Sequence, residues 1–400
     1  MTPPAPIPER LLDPDAHAGD EPYRIWRWMR RSDPVHWHEP GDLPGFWSLT
    51  RYRDIRDVYL DPERFSSAHG VLLRPTRRGD DAGAGLTLAL TDPPRHRHLR
   101  AMVADRFSER CARGLAQPLR AQIRAVLADA VERGECDFAH DVGARLAISL
   151  ICRLLGVPEE DHELLLAWTT EAFEAGTSLV ADGRIVRYLV ELMGARRAEP
   201  DDDAMSLLVT GTADGDPLTE MEVLLNCENL VGATENAGLA MTAGLLAFLQ
   251  HPQQWRLVRD DRDRIPTAVE EVLRWTSSAT HSMRTATRDV EIGGRRIAAG
   301  DRVVLWIPSA NRDESVFAEP DRFDVTRAPN RHLALGAGPH VCVGGTMARH
   351  QMRILCAELL DMVERVEPAG PVVPLRSIAV SGQAHLPVRL TARRTRRSAR

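Results

Sequence analysis

From Thr219 to about Gln250 the chain is apolar nearly all round, the longest such stretch in its 400 residues. Thr219 and Glu222 have the spacing of a capping box, so the stretch reads as one long helix that ends before Pro252. At ~1.5 Å per residue it would extend roughly 45 Å, enough to cross a whole domain. A helix without a polar face belongs inside a protein. Asn226, Glu228, Asn229, Glu235 and Asn236 within it argue against a membrane span. A second helical pattern begins at about Thr346, where Met347, Met352, Leu355, Leu359, Leu360 and Val363 make one apolar face. Pro266 opens another helix, and residues 115–210 are helical throughout, broken at Gly156-Val157-Pro158 and around Pro200–Asp203. Ala144–Leu155 is apolar but too short to cross a membrane.

Period-two stretches are few. Trp47–Leu49 reads as a strand running into a helix at Arg53, and Val290–Ile292 and Val303–Trp306 read as strands with a glycine turn between them. Asp92-Pro93-Pro94 reads as a helix start with Asp92 as N-cap. The pattern is therefore mainly α with a minor β region. Nothing separates two domains: residues 21–391 read as one, after a flexible proline-bearing tail over 1–20 and before a basic tail over 392–400.

The net charge of −6 argues against a general nucleic-acid binder, although the arginine run of the C-terminal tail keeps that reading open. All 51 Lys and Arg residues are arginine, which excludes Schiff-base lysine chemistry and a P-loop. The six cysteines have no paired spacing and read as reduced thiols of a cytoplasmic protein. The N-terminus offers no apolar core for a signal peptide or membrane anchor.

One cysteine stands apart. Cys342 has Gly336 and Gly338 before it and Gly344 and Gly345 after it, just ahead of a helix start. Glycine walls admit another body close to the backbone, and a helix N-terminus favours a thiolate. Alone, Cys342 is either a small buried hydrophobe or a ligand for a soft metal. A zinc site would need a second cysteine nearby, and a dinucleotide loop would need a third glycine inside a βαβ unit. Both are missing.

The run Leu335–Gly344 resembles the cysteine-ligand loop of the cytochrome P-450 family, Phe-Gly-x-Gly-x-His-x-Cys-x-Gly, with Leu335 in place of the phenylalanine. Ala348-Arg349 fits the family too. Three more stretches resemble it in the family's order. Asp92-Pro93-Pro94 followed by His96 and Arg100 is similar to its Asp-Pro-Pro-x-His-x-x-Leu-Arg segment. Gly232–Asn236 is similar to its central-helix motif Ala/Gly-Gly-x-Glu/Asp-Thr, departing at Ala233 and Asn236. Glu271 and Arg274 have its Glu-x-x-Arg spacing.

The resemblance implies a cytochrome P-450 fold with haem b between the central helix and the cysteine loop. Cys342 would be the iron ligand, and His96, Arg100, Arg284 and His332 would hold the propionates. On spacing alone a solvated basic face is the favoured reading of His96 and Arg100. Glu235 and Asn236 would be the catalytic pair, against the alternative of a packed polar patch. Glu271 and Arg274, joined by Arg327, would be structural. Residues 66–90 and 170–185, with Gly176 and Gly183, would cover a pocket lined by Leu230, Ala233, Ala279, Thr280, Met283 and Ile378. Such a lining suits a bulky apolar compound such as a polyketide, terpenoid or modified peptide.

The implied activity is monooxygenation of that small molecule by dioxygen, hydroxylating, epoxidising or coupling it, with a place in secondary metabolism. Ferredoxin and ferredoxin reductase would supply the electrons, with Arg106, Arg110, Arg349 and Arg353 as a face for an acidic ferredoxin. The alternative is a haem-thiolate binding or sensing protein without turnover. No nucleic acid and no membrane enter the expected set of partners.

Overall fold

The computed structural model describes residues 7–74, 83–174 and 179–393. Arg77–Asp81, Gly176 and the arginines of the C-terminal tail beyond residue 393 lie outside the described residues.

The helical core is assembled from Ala116–Arg133, Arg145–Leu155, Glu235–Gln250, Ile265–Thr276 and Gly345–Met362, which pack on one another. Their apolar faces form one continuous cluster, with Leu119, Ile123 and Leu127 of the first and Leu359 and Leu360 of the last at its centre. Glu235–Gln250 crosses the segment Phe138–Ala144 so closely that a Cβ on Gly143 would lie 2.5 Å from Thr242 Oγ1. Glycine at the crossing is a packing requirement.

The long apolar stretch is two helices, Glu220–Gly232 and Glu235–Gln250, and not the single one its pattern predicts. The capping box at Thr219 and Glu222 is formed. At the break the Thr234 hydroxyl donates to the Val231 carbonyl at 2.6 Å, and Thr234 N–H donates to the same oxygen at 3.1 Å. Both bonds reach back three residues, and the competition interrupts the four-residue ladder.

A five-stranded sheet has the order Val35–His38, Phe46–Leu49, Arg302–Trp306, His281–Ala286, Phe65–Ser66. Arg302–Trp306 runs parallel to Phe46–Leu49 and antiparallel to His281–Ala286. Val303, Val304, Leu305 and Trp306 are all fully buried, as a run apolar on both sides requires. The glycine turn at Gly293-Gly294 joins Val290–Ile292 to Arg295–Ile297, so Val303–Trp306 belongs to a different sheet from the hairpin it was expected to share. A second sheet pairs Val363–Pro368 with Pro387–Ala392 and that strand with Glu135–Asp137.

Two local expectations are corrected. Residues from Pro8 onward are not a flexible tail: Leu11 is fully buried, Arg10 pairs with Glu21, and His17 Nε2 lies 2.9 Å from the Leu11 carbonyl. Asp92 does not cap the helix Arg95–Ala104 through its side chain. Its carboxylate accepts from Ser67 N–H at 2.8 Å and from the Ser66 hydroxyl, and so ties the approach to that helix to the edge strand. No helix among the described residues is long and apolar enough to cross a membrane.

Candidate active site

The cysteine loop is seated on the N-terminal part of the chain. Gly338 has φ +68°, and a Cβ there would collide with the Tyr59 carbonyl. Only glycine fits that conformation at that distance. Cys342 N–H donates to the Leu335 carbonyl at 2.8 Å, which closes the loop, and the helix Gly345–Met362 follows. Cys342 is accessible, yet burial pushes its thiol up from the ordinary value. A group both accessible and surrounded lies in a recess. The amides of Gly344 and Gly345 and the guanidiniums of Arg100 and Arg349 act the other way and favour the thiolate.

Around this loop four basic side chains converge from three elements. His96 and Arg100 lie one turn apart on Arg95–Ala104, Arg284 is on the strand His281–Ala286, and His340 is in the loop itself. The rings of His96 and His340 lie 4.0 Å apart, tilted by 38°. Both nitrogens of His96 and Nε2 of His340 are buried without a hydrogen-bond partner. Arg284 donates to the Met283 carbonyl at 2.7 Å and lies 5.5 Å from the Tyr59 ring centre, while Arg100 donates to the Val341 carbonyl at 2.7 Å. Among the described residues no carboxylate pairs with either guanidinium. Burial, reinforced by Arg284, His96 and Arg100, pulls the His340 imidazole down to about 3. Burial also lowers His96 and both arginines. Buried donors and cations without a counter-charge are costly unless an anion completes them.

His332 is not part of this group. Its Nε2 is 3.0 Å from Glu270 Oε2 and its Nδ1 accepts from Ala334 N–H at 3.3 Å, so neither ring nitrogen is left for an anion. The motif histidine, His340, lies in the cluster in its stead. Glu270 also accepts from Arg349 Nε at 2.7 Å and Nη2 at 2.9 Å. Burial opposes ionisation of Glu270, but the bonds from His332 and Arg349 bring it down to about 2.

Behind the loop, Glu271 and Arg274 form a bidentate pair at 2.8 Å, both fully buried. Arg274 also donates to the carbonyls of Asn311, Pro320 and Arg322. Glu271 accepts from Asp324 N–H, Arg327 Nε and Asn330 Nδ2. Every charged atom of the pair has a partner, the condition under which a buried ion pair is tolerated.

At the helix break, Glu235 begins the second helix, and burial raises its carboxyl above the ordinary range. Asn236 Oδ1 is buried without a partner. The loop carrying Ile378 packs beside this helix, since a Cβ on Gly382 would meet Leu239 at 2.9 Å. Thr280 N–H donates to the Ala379 carbonyl, and Ala279 bridges Val380, so Ala279 and Ile378 do come together. Two expected lining residues do not face a pocket. Thr280 is buried with its hydroxyl donated to the Ile378 carbonyl, and Met283 is buried in the cluster around Trp26 and Trp306. Leu230 is packed into the main core, whereas Ala233 is exposed at the break.

The expected docking arginines are largely paired. Arg106 and Arg110 bind Asp105, Arg106 also binds Asp202, and Arg349 and Arg353 face Glu270.

A helical body with a small sheet, a recessed cysteine in a glycine loop and an uncompensated basic cluster beside it form a setting that could hold a haem through a thiolate. The Cytochrome P450 family profile matches residues 182–368. The chain is 38% identical over 390 residues to Cytochrome P450 NovI of Streptomyces niveus, covering 95% of this chain and 96% of that one. It is 38% identical to Putative cytochrome P450 126 of Mycobacterium tuberculosis, over 95% of this chain and 97% of that protein. The crystal structure of P450 OxyD, described as involved in the biosynthesis of vancomycin-type antibiotics, superposes with a TM-score of 0.89 at 36% identity, covering 95% of this chain and 99% of that one. The chain belongs to the cytochrome P450 family. It is an oxidoreductase with monooxygenase activity whose cofactor is haem b and which takes an organic substrate, dioxygen and electrons from a redox partner. The residues present fit that cofactor: two unpaired guanidiniums and two unpaired imidazoles suit the two carboxylates of a protoporphyrin, and the recess at Cys342 suits a metal that prefers a soft thiolate.

Proposed function

We propose that this cytochrome P450 inserts oxygen into, or oxidatively couples, a bulky apolar small molecule of secondary metabolism, with electrons delivered by ferredoxin and ferredoxin reductase. The observation that carries the residue assignment is the basic cluster without carboxylates beside Cys342. Cys342 is the iron ligand, and His96, Arg100, Arg284 and His340 hold the propionates. Residues 21–391, joined by the packed segment from Pro8, form the catalytic domain.

Bound haem with a thiolate ligand supplies the oxidising chemistry, because thiolate donation favours O–O cleavage. Each remaining task belongs to the chain. Glu271, Arg274 and Arg327 hold the rear of the cysteine loop in register. Gly344 and Gly345 direct their amides at Sγ and hold its charge. Glu235, whose carboxyl burial raises above its ordinary range, exchanges protons with solvent. Asn236 positions a water or a substrate hydroxyl through its unpartnered Oδ1 and its amide, because a carboxamide cannot relay a proton through one atom as a hydroxyl does.

Ala233, Ala279 and Ile378 line the substrate side. Small and aliphatic, they leave recognition to shape, which suits a large apolar ligand. The neighbour associated with an antibiotic's biosynthesis supports the same substrate class.

The test is a spin-state screen of the haem-loaded protein against polyketides, terpenoids and modified peptides. Each ligand that shifts the absorption is then incubated with ferredoxin, its reductase and a reductant. Oxidised product from a bulky apolar ligand is the expected result. Spin-state shifts confined to small polar ligands would overturn the substrate assignment.

A further inference from the structure

Far from the cysteine loop in sequence, three side chains outside the active site converge at the edge of the five-stranded sheet. Among the described residues, Glu9, His36 and His38 bring one potential ligand atom each to within 4.8 Å of the others. His36 and His38 stand two apart on the edge strand Val35–His38, so both project from one face. Glu9 comes from the turn Pro8–Leu12, with Oε1 3.7 Å from His36 Nε2.

Each histidine already uses one ring nitrogen and leaves the other bare. His36 Nδ1 lies 2.7 Å from Asp33 Oδ2, and His36 Nε2 is buried without a hydrogen-bond partner. His38 Nε2 lies 2.9 Å from Ser48 Oγ, which also accepts from Trp306 Nε1, and His38 Nδ1 is buried without a partner. His38 is only 1% exposed, and its ring stacks on Phe46 at 4.4 Å, so its orientation is fixed. A histidine oriented by a carboxylate or hydroxyl on one nitrogen, with the other nitrogen free, is the arrangement that metal-ligating histidines adopt.

We propose that Glu9, His36 and His38 form a binding site for a divalent cation of the zinc class, which pins the N-terminal turn to the edge of the sheet. Two imidazoles and one carboxylate are a donor set that suits Zn²⁺, with water completing the coordination. Ligand atoms around one tetrahedral ion stand roughly 3.3–3.5 Å apart at bond lengths near 2.0–2.1 Å. The 3.7 Å separation needs little adjustment, and Glu9 has a largely exposed side chain with which to make it. Asp33 and Ser48 would set the tautomers. The consequence for the fold is a cross-link between the turn Pro8–Leu12 and the edge strand Val35–His38.

The experiment is a zinc titration of the haem-loaded, chelator-treated protein in competition with a chromophoric zinc chelator. The wild type binds one equivalent tightly, and zinc raises its melting temperature. His36→Ala and Glu9→Gln each weaken binding at least tenfold and abolish the thermal shift, while the haem absorption stays the same. Asp33→Asn weakens binding about 10–100-fold without removing a ligand atom. His36 and Glu9 are not in the core, and Glu9→Gln remains informative if His36→Ala fails to fold. Equal affinity of the wild type and the Glu9→Gln and His36→Ala variants would overturn the proposal, as would binding of no zinc at all.

Discussion

The imidazoles of His96 and His340 face each other 4.0 Å apart, one from a helix and one from the cysteine loop, and three of their four nitrogens are buried and unbonded. That pairing predicts joint responsibility for holding an anion. His96→Ala and His340→Ala should each speed haem transfer to a scavenging apoprotein by about 10–100-fold, the equivalent of losing one charge-assisted hydrogen bond. His332→Ala should leave the transfer rate near wild type, because its ring serves Glu270. Equal acceleration by all three would restore His332 to the propionate site.

Cys342 and Cys356 separate ligand from core. Cys342→Ala should abolish the far-red-shifted Soret band of the reduced carbon monoxide complex, the mark of a thiolate. Cys356, buried in the helix Gly345–Met362 with its thiol raised to about 12, should be replaceable by Ala without that loss. The reverse pattern would refute the ligand assignment.

Acid should weaken the structure through Glu270. Its folded value of about 2 lies below the ordinary 4.5. Its stabilisation is therefore complete above pH ~4.5 and is lost as pH falls toward 2, on the order of 2–3 kcal/mol in all. Glu270→Gln should lower the urea midpoint at pH 7 and flatten its decline between pH 5 and 3. An unchanged acid limb in the variant would show that Glu270 contributes nothing.

Breaking the buried pair should be worse than losing a surface ion pair. Glu271→Ala or Arg274→Ala leaves one charge buried and unpaired, at a cost of about 3–5 kcal/mol. Expression should yield little haem-containing protein, measured as Soret absorbance per unit of purified chain. Normal haem content in either variant would mean that the pair is dispensable.

Proton supply is the reading most open to kinetics. Glu235→Gln should slow turnover about tenfold or more and enlarge the solvent isotope effect. Asn236→Ala should mainly raise peroxide released per reductant consumed. Wild-type rate and coupling in both would make the pair a packing feature.

Much of this was legible in the chain because short-range rules set it. The capping box at Thr219, the helix stop at Gly156 with φ +79°, and the turn from glycine loop to helix at Cys342 are local. The pattern misleads where a side-chain hydrogen bond or a distant partner decides. The break at Ala233–Thr234 depends on which carbonyl the Thr234 hydroxyl chooses, and hydrophobic periodicity is blind to that. His332 and His340 lie in the same stretch, and only the fold sets Glu270 beside the first and His96 beside the second. His36 and His38 alternate in the sequence, but Glu9 joins them through tertiary packing alone.

The parallel pairing of Phe46–Leu49 with Arg302–Trp306 has a consequence for synthesis. A nascent chain emerges from the ribosome at roughly 5–20 residues per second, so tens of seconds separate the two strands. Throughout that interval the early hairpin has one edge uncovered and Gly338 has not reached Tyr59, while of the basic cluster His96 and Arg100 come early, Arg284 only near the end and His340 after it. Haem capture is thus a late event in the life of the polypeptide, and slowing translation between these strands should lengthen the exposure of that edge to chaperones.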